Sequence, residues 1–280
     1  MTCGRRFIRK LVYKMIKKYI DNERGRIFYW DSGQMRECTI IFFHGLTADH
    51  TLFDCQLVFW TEKYRVITWD MPLHGESRPY RDFSFASAAE DLKQIMEKEG
   101  ITHAVLAGQS AGGYVAQAFV QCYPEMADAF ISIDSTPFGM KYYKKSELFW
   151  TDHYSTIARI YPYKLYCRAA ASSSSRTEKA RQSFYESLCR LGKKGMMEAA
   201  YAYYKELPNC SEVIFPCPVL LILGEYDRTG YVSKYTRAWS RETGYPLLVI
   251  PDAAHNSNYD NPEFFNQKTE KFIAAACGFS

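Results

Sequence analysis

Gly108-Gln109-Ser110-Ala111-Gly112 is a Gly-x-Ser-x-Gly sequence lying between the apolar run His103 to Ala107 and a helix-period stretch, Ala111 to Cys122. A serine hydroxyl is a weak nucleophile in water. It reacts when a base takes its proton and fixed donors receive the charge that develops on the substrate oxygen. The spacing supplies the geometry for this. A strand that turns at once into a helix leaves no room for side chains two residues either side of the turn, so Gly108 and Gly112 keep that space empty. The hydroxyl of Ser110 is then pushed out above the strand end, over the positive end of the following helix. The chemistry to expect of such a residue is nucleophilic attack by the serine hydroxyl.

Such a turn needs a sheet to hold it, and the rest of the chain reads as strand and helix in alternation. Short β-branched or aromatic runs predict strands at Arg26 to Trp30, Thr39 to Phe43, Tyr64 to Trp69, His103 to Ala107, Ala129 to Ile133, Val219 to Leu223 and Leu247 to Ile250. Several are apolar throughout, as strands buried on both faces are. Helical periods predict helices at Phe53 to Glu62, Ser87 to Glu99, Ala111 to Cys122, Val232 to Glu242 and Pro262 to Ala275, the last with Asn261 as N-cap and Pro262 at its first position. The alternation predicts an α/β fold, a mostly parallel sheet covered by helices on both faces, with ligands at the strand carboxyl ends. Residues 139–207 break the rhythm. They carry helical patterns, a loop-like segment from Ala169 to Ser175, and Gly192 and Gly195 as punctuation, and read as a helical insertion. The domain plan is therefore a basic N-terminal helix over 1–20, a core of 21–138 and 208–280, and the insertion at 139–207.

With its serine on a strand-to-helix turn, the chain resembles the α/β-hydrolase fold family over roughly residues 25 to 278, and four more segments match that family in order. His44-Gly45-Leu46 after the run IIFF is similar to the family's His-Gly turn. The resemblance implies that the backbone N–H groups of Leu46 and Ala111 form the oxyanion hole, where one donor is commonly worth about 10² to 10³ in rate. Asp70 to Ser77 is similar to the family's D-x-P-G-H-G-x-S loop, with Leu73 where glycine is usual. LLILGEYD places Asp227 where the family's acid lies, and LLVIPDAAHNSNYDNPE offers His255 as base. The implied catalytic residues are Ser110, Asp227 and His255. His255 would take the serine proton, and Asp227 would fix the imidazole tautomer and stabilise the imidazolium.

Asp134, after the ISID run, is a rival acid, because some members carry the acid after that earlier strand. Asp252 is read as a turn residue. His44 and His74 are read as hydrogen-bonded scaffolding beside glycine turns, and His50 as a neighbour of the pocket. The fold implied is an eight-stranded, mostly parallel sheet flanked by helices, with residues 139–207 as a helical cap over the active site. The 13 aromatic residues of that segment, among them Tyr142, Tyr143, Phe149, Trp150, Tyr154, Tyr201, Tyr203 and Tyr204, either line an apolar acyl pocket or form the cap's own core.

The function implied is a cofactor-free serine hydrolase of a small ester, thioester or lactone, its substrate a small acyl compound. Activity should fall as His255 protonates, near its unperturbed pKa of about 6.5. Alternatives are a slow-turnover ligand-binding or signalling protein of the same fold, or an aminopeptidase or carbon-carbon bond hydrolase with the same triad. Epoxide opening and halide displacement are disfavoured, because relatives that perform them carry a carboxylate nucleophile at the elbow.

Composition narrows the classes further. The 280 residues, 47% hydrophobic and 24% charged, suit a globular chain of one large domain or two small ones. No run approaches the 18 or more apolar residues of a membrane-spanning helix. Nine cysteines, odd in number and without close pairing, read as reduced thiols of a cytoplasmic protein, and none of the six histidines sits in metal-ligand spacing with a cysteine pair. The net charge of +4 is segregated: residues 1–20 carry +7, residues 139–207 another +7, and the remainder −10. An acidic body with a basic arm and a basic insert argues against a groove that tracks nucleic-acid phosphates. In the arm, apolar pairs recur every four residues from Phe7/Ile8 to Tyr19/Ile20, with basic residues between them. This predicts an amphipathic helix, either docked on the body or lying on an anionic membrane surface as a peripheral contact.

Overall fold

The uniformly apolar runs lie where two layers of helices cover them. The computed structural model describes residues 15–33, 36–144 and 162–278. Its strands are β1 (Ile16–Asn22), β2 (Gly25–Asp31), β3 (Thr39–Phe43), β4 (Arg65–Trp69), β5 (Ala104–Gln109), β6 (Ala127–Ile133), β7 (Val219–Gly224) and β8 (Leu247–Ile250). They form one sheet in the order β1-β2-β4-β3-β5-β6-β7-β8. The pairs β1/β2 and β2/β4 are antiparallel, and every other pair is parallel.

The helices are α1 (Asp54–Trp60), α2 (Phe85–Lys98), α3 (Ala111–Cys122), α4 (Tyr163–Ser174), α5 (Glu178–Glu206), α6 (Val232–Thr243), α7 (Ser257–Asp260) and α8 (Pro262–Ala276). Alternate side chains of the central strands divide between two cores, as the two-residue period of a strand requires. Ile41, Phe43, Ile67, Trp69 and Leu106 pack with α2 and α3, while Ile40, Phe42, Val66, Val105 and Ala107 pack with α1 and α8. The start of α2 is fixed by a reciprocal cap: Ser87 N–H donates to Ser84 Oγ at 2.9 Å and Ser84 N–H to Ser87 Oγ at 2.9 Å.

The expected N-terminal helix is corrected over its last residues. Ile16–Asn22 is a strand paired along its whole length with β2. The reason is the turn that follows. Asn22 Oδ1 accepts from the N–H groups of Arg24 and Gly25 at 3.0 and 3.3 Å, closing a two-residue hairpin loop that returns the chain as β2. Lys18 bonds Asp31 and Glu99 at 2.9 and 2.7 Å, and Lys17 bonds Glu76, so these two cations answer acids of the body. Residues 1–14, which hold the rest of the arm, lie outside the described residues.

Between β6 and β7, helices α4 and α5 pack together, and α5 bends at Gly192, whose φ is 75°. Ala169 to Ser174, expected as loop, completes α4, because Cys167 and Ala171 are buried on one face and the alanine-serine run is compatible with a helix. Gly195 lies inside α5. A side chain there would meet the Arg78 guanidinium, which donates to the Leu191 carbonyl at 2.7 Å. Tyr203 of α5 is buried, stacked on Phe83 with ring centroids 4.2 Å apart. Phe149, Trp150 and Tyr154 fall outside the described residues.

The reading of all nine cysteines as free thiols is also corrected: Cys38 and Cys277 form a disulfide with Cα atoms 5.9 Å apart. Spacing along the chain hid the pair, since 239 residues separate cysteines that the fold brings together at the start of β3 and the end of α8. A cross-link across so long a loop restricts the unfolded chain strongly. Cys38→Ser is therefore expected to lower stability by about 2–4 kcal/mol in denaturant titration. Equal midpoints for the two chains under non-reducing conditions would show that the bond does not hold the fold.

Candidate active site

Strand β5 ends at Gln109 and helix α3 begins at Ala111, so Ser110 alone makes the turn, with φ 49° and ψ −119°. Positive φ in a residue with a side chain is strained and persists only when its surroundings impose it. Here Ser110 N–H donates to the Ile133 carbonyl at 2.8 Å, and the Ser110 carbonyl accepts from Gly113 N–H at 2.9 Å and Ser135 Oγ at 2.7 Å. Close backbone approach completes the clamp. A methyl group on Gly112 would lie 2.3 Å from the Phe43 carbonyl oxygen, and one on Gly45 would lie 2.0 Å from Gln109 Oε1 and 3.3 Å from Ser110 Cβ. The His44-Gly45-Leu46 turn thus packs directly on the elbow. Ala111 is the first residue of α3, so its N–H has no carbonyl one turn back within the helix.

Three separated stretches meet above this turn. His255 Nε2 lies 3.0 Å from Ser110 Oγ, and His255 Nδ1 lies 2.9 Å from Asp227 Oδ2. A carboxylate only accepts, so Nδ1 carries the proton and Nε2 is left to accept from the serine hydroxyl. Asp227 is positioned by the turn after β7: its N–H donates to the Gly224 carbonyl at 3.1 Å, and its Oδ1 accepts from Thr229 N–H at 2.8 Å. The His255 carbonyl accepts from the Gln109 side chain at 2.7 Å, which ties the His255 segment to the end of β5. Burial works against the imidazolium of His255, but the charge and hydrogen bond of Asp227, aided by Asp134, outweigh it and raise the pKa above 6.5.

Asp134, the rival acid, has another task. Its Oδ1 accepts from Gly224 N–H at 2.7 Å and its Oδ2 from Ser257 N–H at 3.1 Å, so it joins the acid turn to the base segment. Burial and the neighbouring Asp227 push its pKa up to about 8. Asp252 has φ 55° in the turn after β8 and donates its N–H to Glu225.

His44, His74 and His50 are each bonded elsewhere. His44 accepts from Met71 N–H through Nε2 at 3.0 Å and donates from Nδ1 to the Gly45 carbonyl at 2.8 Å. Burial lowers its pKa, and burial pushes His74 down to about 3. His50 bonds Asp70 at 2.8 Å and stacks on Trp30 with centroids 3.4 Å apart. Leu73 adopts φ 70°, the left-handed shape for which glycine is the usual residue.

Sequence reasoning misses Gln109 and Gly224. A polar residue at the end of a wholly buried strand was the available signal for the first. For the second it was a strand-ending glycine, where a methyl group would lie 2.0 Å from the Ala254 carbonyl oxygen. Among the described residues no group of three or more His, Cys, Asp or Glu is placed to hold a metal ion, and no helix is long and apolar enough to cross a membrane.

Comparison with known proteins follows the same outline. A family model described as alpha/beta hydrolase fold matches residues 39–162. The chain is 22% identical to 2-(acetamidomethylene)succinate hydrolase of Mesorhizobium japonicum, over 84% of this chain and 88% of that protein. Among solved structures it is similar to a hydrolase from Pseudomonas aeruginosa, with TM-score 0.78 and 18% identity over 92% of this chain and 98% of the other. It is also similar to a thermophilic esterase from Thermogutta terrifontis, with TM-score 0.76 and 20% identity over 94% and 99%.

Proposed function

We propose that the chain, which has the α/β-hydrolase fold, is a serine hydrolase cleaving a small ester, thioester or lactone through an acyl-enzyme. The observation that carries this reading is the unbroken hydrogen-bonded succession Ser110 Oγ, His255, Asp227 beside the His44-Gly45-Leu46 turn. Similarity to the Thermogutta terrifontis protein, an esterase, supports the ester class.

In this mechanism Ser110 Oγ attacks the acyl carbon while His255 Nε2 takes its proton, and the carbonyl oxygen becomes an oxyanion received by the N–H groups of Leu46 and Ala111. The carbon-oxygen or carbon-sulfur bond of the substrate then breaks, and His255 returns the proton to the leaving group. Water repeats the sequence on the acyl-serine, releasing the acid and restoring the hydroxyl. Asp227 holds the tautomer throughout and stabilises the imidazolium. No step calls on a cofactor.

A fluorophosphonate probe tests the nucleophile, and esters of graded acyl length size the pocket. The expected result is one adduct, on the peptide carrying Ser110; an intact chain that stays unlabelled while folded would overturn the proposal. The pH dependence has a definite sign. The base must be neutral, and its pKa is raised, so kcat/KM is expected to begin falling above pH 6.5 as pH is lowered, about tenfold per unit thereafter. An acid limb centred at or below 6.5 would contradict the Asp227 contact.

A further inference from the structure

The residue after His255 is bonded directly to the helical insertion, and the residue before it is bonded to the insertion through Asp260. We propose that Asp260 is a positioning residue that fixes the base to the turn between α4 and α5, so that insertion and imidazole move as one body. This deepens the serine-hydrolase reading and rests on it.

Asp260 is buried at the end of α7, five residues beyond the base, and its two oxygens serve two different elements. Oδ1 accepts from Arg176 N–H at 2.8 Å, Thr177 N–H at 2.9 Å and Thr177 Oγ1 at 3.2 Å, all on the insertion. Oδ2 accepts from Ala254 N–H at 2.9 Å, the residue before His255, and shares the Arg176 N–H at 3.0 Å. The residue after the base is tied to the same turn. Asn256 N–H donates to the Ser174 carbonyl at 2.9 Å, and its side-chain amide donates to Ser175 Oγ at 2.9 Å. A third contact reaches the acid turn: the Arg176 guanidinium lies 4.1 Å from the centroid of Tyr226, the residue before Asp227.

Residues 174–177 of the insertion are therefore bonded, directly or through Asp260, to the flanks of His255 and Asp227. Neutral asparagine at 260 would keep the volume but offer one acceptor oxygen, and its amide N–H groups would face donors. Whichever way it turned, either the insertion or the base segment would be released. A misplacement of about 1 Å can cost on the order of 10²-fold in rate.

The groups facing His255 are Ser110 from the elbow, Asp134 after β6 and Asp227 after β7, while the insertion contributes Arg176 beside the acid turn. Loosening His255 from Asp227 removes the main force raising its pKa. The acid limb should then move to lower pH as the rate falls, a change that loss of stability alone does not produce.

The test compares the full chain with Asp260→Asn and Ser175→Ala by fluorophosphonate labelling, the pH profile of kcat/KM on an activated ester, and thermal melting. Asp260→Asn is expected to label and turn over about 10- to 10²-fold more slowly, chiefly in kcat, with its acid limb displaced downward. Ser175→Ala cuts only the side-chain strut to Asn256 and is expected to shift both readouts the same way, more weakly, with a modest fall in melting temperature; it decides the matter if Asp260→Asn does not fold. A wild-type chain that fails to label removes the serine reading and this inference with it. A labelled wild type whose folded variants match it in rate and acid limb overturns the positioning role alone.

Discussion

Ser110→Ala is expected to lower turnover of an activated ester such as a nitrophenyl acetate by about 10⁴-fold or more, with the fold and substrate affinity retained. The size follows from the chemistry removed: without the hydroxyl there is no acyl-enzyme, and His255 is left with no proton to take. Some acceleration should survive, because the proposed oxyanion donors, the N–H groups of Leu46 and Ala111, do not depend on the hydroxyl. Alanine fits the site sterically, although it keeps a side chain at the positive φ of residue 110. A melting temperature near that of the parent would therefore assign the loss to chemistry. Turnover within a factor of about ten of wild type would exclude the serine as nucleophile.

Asp227→Asn is expected to cost about 10⁴-fold in kcat. The amide can donate where the carboxylate accepted, which favours the imidazole tautomer with its proton on Nε2, pointing at Ser110 instead of accepting from it. Asp134 is not placed to compensate. Its two oxygens are already taken by the N–H groups of Gly224 and Ser257. Kinetics of the purified variant decide between the two acids, since a loss of less than about tenfold would move the role to Asp134.

The parallel core was legible because buried strands advertise themselves as uninterrupted apolar runs. Predicted and observed bounds of β3 and β8 coincide, and those of β5, β6 and β7 differ by no more than two residues at either end. The elbow was legible for a related reason: Gly108, Ser110 and Gly112 encode a local shape, and local shapes leave local signatures. What escaped was decided by partners distant in sequence. Residues 16–20 carry the four-residue period of the arm, yet they form a strand because β2 and the Asn22 turn offer a hydrogen-bonded alternative that no window of the arm contains. Cys38 and Cys277 meet only after the sheet is built. Asp134, Asp260 and Gln109 work by bonding backbone groups of remote loops, so their residue types alone gave no sign of what they hold.

The Cys38–Cys277 bond has a consequence for the topology of the chain as a covalent object. Residues 38–277 form a closed ring, and Ser110, Asp227 and His255 all lie on it. One peptide-bond cut within the ring opens it without releasing a fragment. A chain nicked once between Ser110 and Asp227 keeps all three side chains on a single molecule until a reductant separates the pieces.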